Sequence, residues 1–141
     1  VCFNRFYQPD IDIDELEVTP NLILSSPQDM RLPMRWIAIL YGRIPLDFAV
    51  TSGIHKGQEA IKLLMAGASI TQICSVLLRH GIDHIRIIEQ EMIQWMEEHD
   101  YHSVKQMLGS MSQINCPDES AFERAQYLKS IQTYHPLHSV V

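Results

Sequence analysis

The 141-residue chain predicts an α/β fold with parallel strands. Two observations carry that expectation. Short β-branched or apolar runs alternate with segments whose apolar residues recur at helical spacing, and glycine or proline punctuates most of the switches. Strand-helix-strand alternation of this kind is built with right-handed crossovers, so consecutive strands come out parallel.

The elements follow in order. Val1-Cys2-Phe3-Asn4-Arg5-Phe6-Tyr7 is β-branched and aromatic from its first residue and reads as a strand, closed by Gln8-Pro9. A chain opening inside a strand looks like a segment of something longer. Residues 10–17, DIDIDELE, alternate acid with Ile or Leu, the period of a half-exposed extended run. Asn21-Leu22-Ile23-Leu24 is the expected hairpin partner of that run. From Ser26-Pro27 the rhythm turns helical: Pro33 suits a first helical turn, Met34, Ile37, Leu40 and Tyr41 form a face, and Gly42 ends it. Asp47 to Thr51 reads as a strand, and a helix follows Gly57 with Ile61, Leu64 and Met65 on one face, stopping at Gly67. Ser69 to Cys74 reads as the next strand, and Ser75 to Arg79 as a short helical turn broken at Gly81.

The longest predicted helix runs from Asp83 to His99, with Asp83 as N-cap and a stripe of Ile85, Ile88, Met92, Trp95 and Met96. Ser103-Val104-Lys105-Gln106 has capping-box form. Pro117 and Asp118 open a last helix carrying Phe122, Ala125, Leu128 and Ile131. No internal repeat is visible. Residues 1–100 form one α/β unit and 101–141 a C-terminal helical extension.

Composition narrows the classes. Hydrophobic residues make up 46% and charged residues 20%, enough apolar surface for one globular core and too little charge for disorder. A net charge of −6 argues against a general nucleic-acid surface. The longest apolar stretches fall far short of the ~20 residues that cross a bilayer, and no basic region leads an apolar one at the start. The expectation is a soluble cytoplasmic protein with no membrane or nucleic-acid partner. Three cysteines, Cys2, Cys74 and Cys116, are widely spaced with no CxxC, which suits reduced thiols better than disulfides. The length excludes a complete eight-stranded β/α barrel, which needs about 200 residues.

Ligands of parallel α/β folds bind at the carboxyl ends of strands. Three segments qualify: Asn4-Arg5, the loop Thr51-Ser52-Gly53-Ile54-His55, and Cys74-Ser75. The second loop offers backbone N–H groups ahead of a helix, with Gly53 and Gly57 permitting close approach, and the third offers the same. Consecutive loops of this sort suit a phosphate, held by N–H groups and helix dipoles without a lysine. The same glycines also suit ordinary turns, and spacing alone leaves both readings open.

The run TSGIHKGQEAIKLLMAGASITQICSVLLRHG, followed by an amphipathic helix and HDYHSVKQMLGSMSQ, resembles the C-terminal part of dihydroorotate dehydrogenase. FNRFYQPDID and NCPDESAFERAQY are similar to a dihydroorotate dehydrogenase-like subgroup. The resemblance implies a partial TIM (β/α)8 barrel, approximately strands 6–8 with following helices. It also implies a flavin mononucleotide (FMN) cofactor whose phosphate lies on two loops. By position these are Thr51, Ser52, Gly53 and Ile54 after strand 7, and Cys74 and Ser75 after strand 8. Asn4 falls where the family places an asparagine near the pyrimidine substrate and the flavin.

Three departures stand out. Ser52 replaces the first glycine of the family's pair, Cys74 replaces a glycine, and Arg5 replaces a small hydroxyl residue beside the asparagine. The family's proton-abstracting cysteine or serine and its flavin-contacting lysine have no counterpart in these residues, so no catalytic residue is assigned. The implied function is the flavin-phosphate-binding portion of an FMN-dependent oxidoreductase of pyrimidine biosynthesis, acting on dihydroorotate or another small molecule. The alternative is a non-catalytic half-barrel that associates with a missing N-terminal half or with a second copy, as a homo-oligomer.

Other constellations give less. Asp10, Asp12 and Asp14 lack the glycine and glutamate of a calcium loop, and read as a solvated acidic face. His80 and His84 are four apart, but Gly81 interrupts the helix that would align them with His55 on a metal. His99 and His102 flank a helix end, where an imidazolium meets the helix dipole favourably. Ser75 has no G-x-S-x-G context. Met65, Met92, Met96 and Met107 read as core, and Trp36 and Trp95 as residues of apolar helix faces.

Overall fold

The computed structural model describes residues 1, 9–117, 119 and 132. The predicted first strand, with Cys2, Asn4 and Arg5, and the last predicted helix with Phe122, Ala125, Leu128 and Ile131 lie outside the described residues.

The acidic run folds on itself. Strand β1 (Pro9–Asp12) pairs antiparallel with β2 (Glu17–Pro20), Pro9 opposite Pro20 and Asp12 opposite Glu17. The expected pairing of residues 10–17 with Asn21–Leu24 is therefore corrected, and Pro9 begins a strand where it was expected to end one. The cause is local: one carboxylate oxygen of Asp12 accepts the N–H groups of Asp14 (3.0 Å) and Glu15 (3.1 Å), closing a side-chain turn that reverses the chain. Ile11 and Val18 stay exposed, so the hairpin stands clear of the core.

Helical structure starts earlier than Pro33. A 3-10 turn, Pro27–Met30, leads directly into helix α1 (Arg31–Leu40). The Asp29 carboxylate accepts the backbone N–H of Ser26 at 2.7 Å, as part of a capping box. Pro33, Ile37 and Ala38 form the buried face of α1. Trp36 does not share it: at 41% exposure it sits outside the core, which corrects the expectation of an apolar face for this residue.

A β-α-β unit follows, with β3 (Ala49–Thr51), α2 (Gly57–Ala66) and β4 (Ile70–Gln72). The strands are parallel, with Ala49 opposite Ile70, Val50 opposite Thr71 and Thr51 opposite Gln72. They are shorter than the apolar runs suggest; beyond the ladder, Phe48 C=O accepts both Ser69 and Ile70 N–H groups. Gly67 ends α2 in the left-handed region at φ 118°, where a side chain would be strained. Helix α3 (Ser75–His80) stops at Gly81, and α4 (His84–Glu98) begins after Asp83, whose side chain makes no capping bond. At α5 (Val104–Met107) the Gln106 side chain accepts the N–H groups of His102 (2.6 Å) and Ser103 (3.1 Å), as the capping-box spacing predicts.

Helix α2 lies between two apolar clusters. On one side Ala60, Leu63 and Ala66 join Ile37 and Ala38 of α1, Val50 of β3 and Met30. On the other, Ile61 and Leu64 pack with Met107, and Met65, Met92, Trp95 and Met96 close around them. The methionines expected in the core are there. On α4 the apolar stripe narrows to Ile88, Met92, Trp95 and Met96, because α2 meets α4 near Ile88–Met92 and leaves Ile85 exposed.

Candidate functional site at the strand ends

The parallel register decides which loops meet. With Thr51 opposite Gln72, the residues after β3 and those after β4 emerge on the same edge of the sheet. Thr51 and Ser52 are half-buried, Gly53 and Ile54 buried, Cys74 exposed and Ser75 half-buried. Ser52 and Gly53 both have positive φ, 77° and 78°. Such a pair turns the chain sharply out of the strand, and only glycine adopts it without strain.

Gly53 permits a close approach, and the group that approaches belongs to this chain. A β-carbon there would lie 2.5 Å from the backbone nitrogen of Met30 and 3.0 Å from the carbonyl oxygen of Ser26. The turn preceding α1 thus packs directly on the loop after β3. Among the described residues, the N–H groups of Gly53 and Ile54 bond to no backbone or side-chain acceptor.

The start of α2 is a different case. It was expected to present unpaired N–H groups, and two of them are taken by carboxylates. Lys56 N–H donates to Glu59 Oε2 at 2.6 Å and Gly57 N–H to Glu91 Oε2 at 2.7 Å. Gly57 is needed for helix packing: a β-carbon would meet Glu91 Cβ and Met92 N at 2.7 Å. An anion would find this helix start already occupied by negative charge.

One residue outside the predicted set ties the two loops together. Ser25, buried at 4% exposure, donates its N–H to Ser75 Oγ at 3.1 Å, and its backbone hydrogen-bonds His55. Burial first, and then the guanidinium of Arg79, hold His55 below the ordinary imidazole value of 6.5; the Ser25 bond and Glu59 oppose this, and His80 adds to it. The Nε2 of His55 is buried and has no hydrogen-bond partner among the described residues. Arg79 donates to the carbonyl of Leu24 at 3.4 Å, and His80 stacks on His84 with ring centroids 4.8 Å apart. The strand ends therefore gather Arg79 and imidazoles in a chain of negative net charge.

The chain matches no protein-family model. It is similar to dihydroorotate dehydrogenase (fumarate) from Saccharomyces cerevisiae, 36% identical over 80 residues, covering 55% of this chain and 26% of that protein. It is also similar to the catalytic subunit of dihydroorotate dehydrogenase B (NAD(+)) from Pyrococcus furiosus, 27% identical over 90 residues, covering 64% of this chain and 30% of that one. Over this stretch the chain is dihydroorotate dehydrogenase-like. It spans less than a third of the length of these relatives. A solved DHODH from Eimeria tenella, in complex with ferulenol, aligns with 45% of the dihydroorotate dehydrogenase-like chain and 17% of its own at 22% identity, with a TM-score of 0.44.

Sequence reasoning brought Thr51–Ile54 and Cys74–Ser75 to one edge, and the register puts them there. It missed Ser25 and Arg79 as neighbours of that edge. Ser25 is 50 residues from Ser75, and no local pattern marks such a contact.

Proposed function

We propose that this chain is the flavin-phosphate-binding portion of an FMN-dependent oxidoreductase resembling dihydroorotate dehydrogenase. In this reading β3 and β4 are strands 7 and 8 of a (β/α)8 barrel, residues 1–100 belong to the barrel and 101–141 form its helical extension. The observation that carries it is the parallel register, which sets the Thr51-Ser52-Gly53-Ile54 loop beside Cys74-Ser75. Phosphate sites at strands 7 and 8 of barrels have this layout.

The residues fit a phosphate at the strand ends better than at α2. Among the described residues, Gly53 and Ile54 carry unpaired N–H groups, α3 begins at Ser75, and His55 holds an orphaned buried nitrogen; α2 is capped by Glu59 and Glu91. Ser52 and Cys74, where the resembled family has glycine, add a hydroxyl and a thiol to this cradle. When bound, the flavin supplies the redox chemistry by accepting a hydride from the substrate. This chain's own part is placement: backbone N–H groups orient the phosphate, and the resemblance assigns Asn4 to the substrate. The proton-abstracting base has no counterpart here and belongs to other strands of the parent barrel. The substrate is dihydroorotate or a related small molecule, and the setting is cytoplasmic pyrimidine biosynthesis.

Purified full-length protein tests the reading. Retained flavin, with absorbance near ~450 nm and tighter binding of FMN than of riboflavin, is expected, because the phosphate is the anchor. A full-length protein that neither carries nor takes up FMN would end it.

A second reading is favoured by one observation. Among the described residues β3 and β4 pair only with each other, and Ile70 at the open side is 56% exposed. Open strand edges recruit partners. The chain would then act as a non-catalytic association module, joined to a missing barrel half or to its own copy. Light scattering that returns a monomer at all concentrations would remove this alternative. No helix among the described residues is long and apolar enough to cross a membrane.

A further inference from the structure

Buried polar atoms in folded proteins are almost always hydrogen-bonded, so an orphan marks a partner that completes it. Among the described residues, His55 Nε2 is such an atom. It sits two residues past Gly53 in the loop after β3, and Ser25 links its imidazole to Ser75 after β4. One histidine thus stands where both strand-end loops converge.

The charges around it come from two helices. Arg79 and His80 face it from α3, Glu59 from α2, and Ser25 from the segment before α1 contributes only its backbone. Two cationic or imidazole groups against one carboxylate suit an anion more than a cation. Burial and Arg79 both act against a further positive charge and hold the imidazole below its ordinary value. A dianion beside the ring reverses that balance, because an opposite charge within a few ångströms favours the charged form.

We propose that His55 makes the strand-end phosphate site proton-coupled: on binding a phosphate dianion its buried Nε2 takes a proton from solvent and donates it as a hydrogen bond to a phosphate oxygen. No covalent bond changes, and the complex gains one proton. The inference rests on the reading of the strand ends as a phosphate site, and it assigns to that site a residue that its glycine and hydroxyl groups do not include. It follows that the site holds its anion more tightly at low pH, by linkage between proton and anion binding.

The test follows the His55 imidazole and the amides of Gly53, Ile54 and Ser75 by NMR in the full-length protein, using sulfate, FMN and riboflavin as probes at constant ionic strength. Sulfate keeps its charge across the range, so its pH dependence reports the protein alone. Sulfate and FMN are expected to move all three amides, and riboflavin is expected to leave His55 unmoved. Saturating sulfate should raise the His55 midpoint by about one pH unit, which makes sulfate bind about tenfold more tightly below that transition than above it. His55→Gln should flatten that dependence while sulfate still binds, and the direct titration in the unaltered protein needs no variant at all. If the amides move but the His55 midpoint does not, or if His55→Gln keeps the full pH dependence, the coupling is overturned and the phosphate site stands. If neither sulfate nor FMN moves the amides, the phosphate site and the coupling fall together.

Discussion

The backbone N–H of Gly57 donates to the carboxylate of Glu91 at 2.7 Å. This bond fastens the first turn of α2 to the middle of α4 and puts a negative charge where a helix is most receptive to one. It also explains Gly57, since any β-carbon there would collide with Glu91 Cβ and Met92 N. Glu91→Ala removes the acceptor and is expected to cost about 1–2 kcal/mol of unfolding free energy, with Glu91→Gln costing roughly half as much because it can still accept the bond. Urea titrations read both, and faster hydrogen exchange at the Gly57 amide in the alanine variant checks the cause. Equal losses for the two variants would show that the bond contributes nothing.

Neighbouring substitutions in the loop after β3 should move stability in opposite directions. Gly53→Ala adds a β-carbon at φ 78° within 2.5 Å of Met30 N, and is expected to cost about 2 kcal/mol or more. Ser52→Gly relieves a serine held at φ 77°, and is expected to gain about 0.5 kcal/mol once the added freedom of the unfolded chain is subtracted. Thermal melts of both variants suffice. A stabilised Gly53→Ala would contradict the packing of the turn before α1 onto this loop.

Removing the Ser75 hydroxyl strands the N–H of Ser25, which Ser75 Oγ accepts at 3.1 Å. Because Ser25 is buried, Ser75→Ala is expected to destabilise the protein by about 1–2 kcal/mol. Urea midpoints would measure this, and Ser75→Thr, which keeps the hydroxyl, should avoid most of the loss. An unchanged midpoint for Ser75→Ala would mean that water serves Ser25 equally well.

His55 gives stability a pH dependence of definite sign. Its folded value lies below the ordinary 6.5, mainly through burial and then Arg79, so below 6.5 the unfolded chain binds a proton that the folded chain resists. Its contribution is fully present above 6.5 and is lost as pH falls through the folded value. Urea midpoints should therefore fall on acidification from neutral pH, and His55→Gln should remove that part of the slope. A slope identical in the two proteins would assign the dependence to other groups.

Legibility in the sequence tracked the range of the interactions. Helix α2 could be read from Ile61 and Leu64 and its end from Gly67, and the start of α5 from Ser103 and Gln106, because helix spacing and caps are settled within a few residues. The β1–β2 hairpin was misread because alternation alone does not say where a run reverses. That was settled by the Asp12 carboxylate closing a turn on Asp14 and Glu15. Trp36 was misplaced because a one-residue step on a helix rotates a side chain by about 100°, enough to leave the buried face of Ile37.

Local chemistry in the residues already specified an α/β chain and two loops rich in small residues after its strands, and the sequence runs themselves resemble dihydroorotate dehydrogenases. Tertiary structure alone decided what those loops meet. Gly53 faces the backbone of Met30, Gly57 faces α4, and Ser25 crosses 50 residues to reach Ser75. Such contacts depend on how helices and strands stack, which is set by the burial of whole apolar faces and leaves no mark at fixed spacing along the chain. The glycines looked alike in sequence, and packing gave each a different neighbour.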